Sequence, residues 1–276
     1  MSLEIGLVIS TLLDGIFRVQ HQLPFGWSQV VVVHQIPGAD IQQYAQEHDR
    51  LKALGVDVIV QHFGGLSKSR NAGLKAVKTA YALIMDDDVQ FPQDVVSRLQ
   101  NSISQYPAAD IYTYQIQTPE GIPFTHYAEN PFMHNRRSIA RVRSVELCVN
   151  MSWYKDSKVS FDEQFGLGAT FKTGEEFIFL NDALHKQAKV QYVPVVVSIH
   201  PMESSGKIAI APAKTKLTTN SLSLRYRARF RSRFIASSAE TITRAKPTHK
   251  RATERKISTI HRRTSLNFNF LAATRR

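Results

Sequence analysis

The first part of the chain alternates short apolar runs with longer stretches of helical spacing. Leu3, Ile5, Leu7 and Ile9 interleave with Glu4, Gly6, Val8 and Ser10, the period of a strand. Val30, Val31, Val32 and Val33 form an unbroken β-branched run, as expected of a strand covered on both faces. Pro37-Gly38 marks a turn, and Ile41, Tyr44, Ala45, Leu51 and Leu54 then keep roughly helical spacing until Gly55. Residues 56–60 predict a third strand, and a Gly-Gly loop leads from it into a helix carrying Leu74, Ala76, Val77 and Ala80. Residues 81–85 predict a fourth strand, and Pro92 opens a further helix reaching to about residue 103. This alternation predicts an α/β domain with a largely parallel sheet. Such sheets bind ligands outside the carboxyl ends of their strands.

The second half is less regular. Residues 111–116 and 142–149 predict strands, with a long loop at 117–135 between them. Residues 159–168 form a glycine-bearing loop, and Phe177, Leu180, Ala183 and Leu184 mark the helix that follows Glu175-Glu176. Residues 190–199 predict a last strand, closed by His200-Pro201. No internal repeat is present.

Candidate chemistry begins where the fourth strand stops, at Asp86-Asp87-Asp88. Three adjacent acids at a buried strand end are costly unless a cation or solvent meets them. Hard divalent cations favour such oxygen clusters, and Mg²⁺ or Mn²⁺ usually shares them with a substrate phosphate. The plainer account is a solvated acidic turn that caps the helix opened by Pro92.

Three further segments carry the same ambiguity. Gly64-Gly65-Leu66-Ser67-Lys68-Ser69-Arg70-Asn71-Ala72-Gly73 could bring backbone and a cation up to a phosphate, or could be an ordinary loop-to-helix junction. Glu175-Glu176 could complement a helix dipole, or could supply a general base to a hydroxyl. His200 is either a surface histidine beside a proline or a ligand. The single cysteine, Cys148, sits in an apolar run and reads as a core residue, so no internal disulfide is expected.

In this order the segments resemble an inverting family 2 glycosyltransferase of the GT-A fold. The likeness rests on Arg70-Asn71-Ala72-Gly73, on Asp86-Asp87-Asp88, on Phe161-Asp162-Glu163-Gln164-Phe165 and on Glu175-Glu176, and it covers about residues 3–203. The resemblance implies a nucleotide-sugar donor, taken as a UDP-sugar, and a glycan or lipid-linked acceptor. It implies that Asp88 holds Mg²⁺ or Mn²⁺, with Asp86 near the ribose or the metal shell and His200 as a further metal or phosphate contact. Arg70, Asn71, Asp86 and Asp87 would bind the donor. Glu176 would deprotonate the acceptor hydroxyl, with Glu175 as the fallback. Two departures stand out: Asp40 lies late for a nucleobase contact after the second strand, and the Gln-x-x-Arg-Trp motif of processive synthases is absent, which implies one sugar per event.

Charge divides the chain in two. Of the net +12, residues 225–276 supply 15 Lys/Arg against 2 Asp/Glu, leaving the rest nearly neutral. A domain at 1–215 and a basic, partly disordered extension at 216–276 are therefore expected. Arg225, Arg227, Arg229, Arg231 and Arg233 recur at every second position and suit an anionic membrane surface. No membrane-spanning run or secretory leader is expected, so the protein is placed in the cytoplasm, peripheral on the inner face of the membrane. Two alternatives remain at this point. One is a nucleotidyltransferase, for which Ser10-Thr11-Leu12-Leu13-Asp14-Gly15 is a poor phosphate loop; the other is a membrane- or nucleic-acid-binding module acting through the tail, with nucleic acid the less favoured partner.

Overall fold

A computed structural model describes residues 3–201. The basic segment with Arg225 to Arg233, and the boundary expected at 215/216, lie outside the described residues. Strands β1 (Ile5–Leu12), β2 (Gln29–Gln35), β3 (Asp57–Gln61), β4 (Tyr81–Asp86), β5 (Ile111–Gln117), β6 (Phe132–Met133), β7 (Leu147–Asn150) and β8 (Val190–Ile199) make one sheet. Its order is β3-β2-β1-β4-β7-β5-β8-β6. The first four strands run parallel, β7 is antiparallel to both neighbours, β5 and β8 are parallel, and β6 is antiparallel to β8. The sheet is thus α/β and largely parallel, as the alternation predicts.

Both faces are covered, which explains the apolar runs. Leu7, Ile9, Val32, Leu83 and Met85 face one layer, formed by Ile16, Val19 and helix α3 (Val95–Gln105), while α1 (Ala45–Ala53) adds Leu51. Val8, Val31, Val33, Ala82 and Ile84 face the other, where α2 (Leu66–Ala76), α4 (Met151–Ser157) and α5 (Glu175–His185) lie. Consecutive Leu83 and Ile84 are both fully buried, each contributing about 1.5–3 kcal/mol on opposite faces. Gly73 sets how closely α2 approaches β1, because a Cβ there would collide with Val8 Cγ1.

Several boundaries differ from the expectation. The strand at 142–149 begins only at Leu147; Ser144–Glu146 form a 3-10 turn, since Glu146 turns back to the backbone N–H of Arg143. Helix α2 ends at Ala76, and Val77 is extended. The helix after Pro92 begins at Val95, and Pro92 forms the turn before it. The long loop at 117–135 contains edge strand β6. Leu13–Gln22, a 3-10 segment beyond β1, and α4 were not anticipated. No helix among the described residues is long and apolar enough to cross a membrane.

Candidate active site

Asp86, Asp87 and Asp88 leave the end of β4 in three directions, each toward a different cation. Asp86 Oδ1 accepts from Arg70 Nη2 at 3.2 Å. Asp87 Oδ1 accepts from Arg18 Nε at 3.1 Å and from its Nη2. Asp88 Oδ1 lies 3.3 Å from His200 Nε2. Segment Leu13–Gln22 folds over the strand end, where Gln22 Nε2 donates to the carbonyls of Asp86 (2.8 Å) and Val89 (2.6 Å). A Cβ at Gly15 would collide with the Asp87 carboxylate, so that segment can lie this close only with glycine there.

His200 reaches the acids through the edge of β8. Gln90 and Ile199 exchange backbone hydrogen bonds of 2.9 and 2.8 Å, which draws the end of β8 onto the turn after Asp88. His200 Nδ1 lies 2.7 Å from the carbonyl of Pro201 and must donate to it, which leaves Nε2 facing Asp88. Nε2 then either carries a second proton or presents a lone pair. The Asp88 bond holds His200 above the usual imidazole range, and the same bond holds Asp88 below the usual carboxylate range.

Arg70 does not stand at a ligand surface, where the resemblance placed it. Its side chain is 1 % exposed and lies beneath the acids. Besides Asp86 it reaches Ser144 Oγ at 2.6 Å, Glu175 Oε1 at 3.3 Å and Glu176 Oε1 at 3.6 Å, and its guanidinium lies over the Phe161 ring. Burial works to lower its pKa, but Asp86, Glu176 and Glu175 outweigh it and the guanidinium stays charged. For Asp86 the balance reverses, and burial pushes the carboxyl up despite Arg70.

The acidic pair at the start of α5 is unequal. Glu175 points inward, with its side chain 7 % exposed and Oε2 buried without a hydrogen-bond partner. Burial and the neighbouring Glu176 push it up to about 7. Glu176 is 18 % exposed and is the member that retains access from outside.

Asn71 is engaged with protein. Its Nδ2 donates to the Phe161 carbonyl and its Oδ1 accepts from the Phe161 N–H, both at 2.9 Å. Ser67 Oγ donates to the Phe165 carbonyl at 2.7 Å, and Leu66 N to the Leu167 carbonyl at 2.9 Å. Two motifs that look separate in sequence are therefore one clamp, which sets the loop beside Glu175. Arg18, Gln22, Ser144 and Glu146 carry no local pattern that would have singled them out.

Among the described residues no three His, Cys, Asp or Glu side chains gather as a metal cage. Asp86 Oδ1 is engaged by Arg70. Asp88 and His200 do offer one carboxylate and one imidazole nitrogen side by side. The carboxylate suits Mg²⁺ or Mn²⁺, which take remaining ligands from water and substrate phosphate, whereas an imidazole nitrogen is a ligand that Mg²⁺ does not favour.

Residues 13–185, more than half of the chain, match Glycosyl transferase family 2. Among solved structures, S. aureus TarS 1-349 in complex with UDP-GlcNAc superposes with a TM-score of 0.56 at 15% identity, over 76% of this chain and 61% of that one. Its complex with UDP gives 0.53 at 15% identity over 72% and 60%, and the longer S. aureus TarS gives 0.53 at 14% over 72% and 37%. At such identities the likeness is one of fold, and this chain spans less than two thirds of those proteins. No curated protein matches. The GT-A-type sheet, the acids closing β4 and the match across residues 13–185 together place the chain in glycosyl transferase family 2.

Proposed function

We propose that this protein moves one sugar, with inversion, from a UDP-sugar to an acceptor hydroxyl in the synthesis of a surface glycan or glycolipid, assisted by Mg²⁺ or Mn²⁺. The observation that carries this reading is the shared guanidinium of Arg70. It reaches Asp86 at 3.2 Å and Glu176 at 3.6 Å, and so ties the end of β4 to the start of α5. The solved relatives bound to UDP-GlcNAc and UDP support a uridine diphosphate donor.

Glu176 acts as the base. Its carboxylate accepts the acceptor's hydroxyl proton as that oxygen bonds to the anomeric carbon and the bond to the diphosphate breaks. The leaving diphosphate needs no proton, so one base is enough. Asp88 and His200 would hold the cation, which when bound offsets the negative charge gathering on the departing diphosphate. Glu175, Arg70 and Asn71 are positioning residues: they hold Glu176 and the loop after Phe161 rather than touching substrate. Asp87, held by Arg18, fixes the turn from which Asp88 projects.

The catalytic domain is assigned to residues 1–215. The basic segment at 216–276, with Arg225, Arg227, Arg229, Arg231 and Arg233, supplies attachment to anionic lipid on the cytoplasmic face.

Glu176→Gln should retain UDP-sugar binding and lose about 10²–10⁴-fold in transfer rate. Asp88→Ala should abolish metal-dependent donor hydrolysis with the fold intact. Metal-dependent turnover retained in Asp88→Ala, or full transfer in Glu176→Gln, overturns the assignment.

A further inference from the structure

A cavity of ≈ 430 Å³ opens between the loop before β6 and the turn Ser138–Arg141. Glu146 lines it, accepting from Tyr127 OH at 2.8 Å and lying 3.7 Å from Arg143 Nη1. Its wall is aromatic. The rings of Tyr127 and Tyr192 are parallel within 7°, and Phe132 lies 4.9 Å from Tyr192. The polar groups of the wall are fixed by one another: Tyr192 OH donates to Ala128 O at 2.8 Å and accepts from Gln115, and His134 sits between Thr113 and Ser138.

Two features set this cavity beside the reaction. Ser144, two residues before Glu146, accepts from Arg70, whose guanidinium also holds Glu176. Phe124, at the head of the loop that supplies Tyr127, packs edge-on against His200, while Arg143 lies over its ring at 4.8 Å. The segment carrying Glu146 is thus linked to the base through Ser144 and Arg70, and the loop carrying Tyr127 is linked to the Asp88–His200 pair through Phe124.

The charges of the cavity are unequal. Its acid, Glu146, is buried and bonded, and burial pushes its carboxyl up to about 7. Burial lowers His134 to about 4, so this ring is neutral at neutral pH. Arg137 and Arg141, by contrast, line the cavity from exposed positions, and neither is paired with a carboxylate among the described residues. An aromatic wall with a few fixed polar groups suits a small polar ring, and two exposed guanidinium groups suit phosphate or carboxylate oxygens.

We propose that this cavity seats the acceptor, as a saccharide unit carrying a phosphate or carboxylate that Arg137 and Arg141 engage. The acceptor role rests on the transferase reading above; the anionic-sugar chemistry rests on the cavity alone.

The test is calorimetric titration of the full chain with a panel of hexose 6-phosphates and uronic acids, with methyl glycosides and inorganic phosphate as controls. At least one charged sugar should bind at least about tenfold tighter than both its neutral counterpart and inorganic phosphate. An Arg137→Ala/Arg141→Ala double variant should lose that advantage while binding UDP as the unaltered chain does. Preference for the phosphorylated or the carboxylated sugar identifies the source of the charge, and either supports the proposal. Equal binding of neutral sugars, inorganic phosphate matching the best sugar phosphate, no sugar bound at millimolar concentration, or an indifferent double variant each overturns it. UDP binding is read separately: its absence from the unaltered chain sinks the transferase reading, whereas a failed sugar panel with UDP bound sinks only the cavity assignment.

Discussion

The side chain of Asn71 forms a reciprocal pair with the backbone of Phe161, 90 residues away, donating to its carbonyl and accepting from its N–H at 2.9 Å each. Both partners are buried, so no solvent stands ready to replace either bond. Asn71→Ala should therefore cost about 1–3 kcal/mol for each unpaired group, read as a lower urea midpoint with unchanged slope. Asn71→Asp keeps the acceptor but sets a buried carboxylate against the Phe161 carbonyl and the Glu163 carboxylate, and should recover little of the loss. An Asn71→Ala protein as stable as its parent would show that Phe161 finds other partners.

Removing Arg70 should be more severe, because it leaves Asp86, Glu175 and Glu176 close together without their cation. Arg70→Met should lose about 3–5 kcal/mol, and Arg70→Lys should recover little, since one ammonium cannot span the same fork. Acid should partly rescue the variant. The Glu175 carboxyl is raised to about 7, above its ordinary 4.5. The folded state thus binds the extra proton, and this group's contribution to stability rises as pH falls from 7 toward 4.5. Denaturation midpoints at about pH 8 and about pH 5 should show a smaller penalty at the lower pH.

The Asp88–His200 pair has a different pH window. Asp88 is held below its usual 3.8, so its contribution is present above that value and fades as pH falls through the depressed one. His200 is held above its usual 6.5, so its contribution is complete below that value and fades as pH rises through the raised one. Thermal shifts in UDP with and without Mn²⁺ test the same pair. His200→Ala should lose most of the metal-dependent part of the UDP shift, and an undiminished shift would free His200 of the role.

Gly15→Ala should act on the turn without replacing any acid. Its Cβ would drive into the Asp87 carboxylate and Thr11 Oγ1, displacing Asp87 from Arg18. A loss of about 1–3 kcal/mol is expected, as for other overpacked sites, together with weaker UDP binding. Calorimetry on the folded variant checks this, and unchanged affinity for UDP would separate Asp87 from the donor site.

Much of the first half was legible because its signals are local. The valines of β2 and the run into Asp86 read as buried parallel strands because helices cover both faces, leaving no polar alternation to confuse the pattern. The second half misled where a side chain outweighed the local run. Residues 142–146 look β-branched enough for a strand, yet Glu146 bends them into a turn by bonding the Arg143 backbone.

The chain's residues alone determined the strand–helix order, the position of three acids at a strand's carboxyl end, and the kinship of Arg70-Asn71, Phe161 and Glu175-Glu176 with one family. Which of those groups could meet a ligand was decided only by tertiary structure. Arg70 turned inward, Asn71 went to a backbone over a long loop, the three aspartates parted company, and Glu176 stayed accessible while Glu175 did not. Exposure and partner choice depend on groups brought together from distant segments by burial, and no local spacing encodes them.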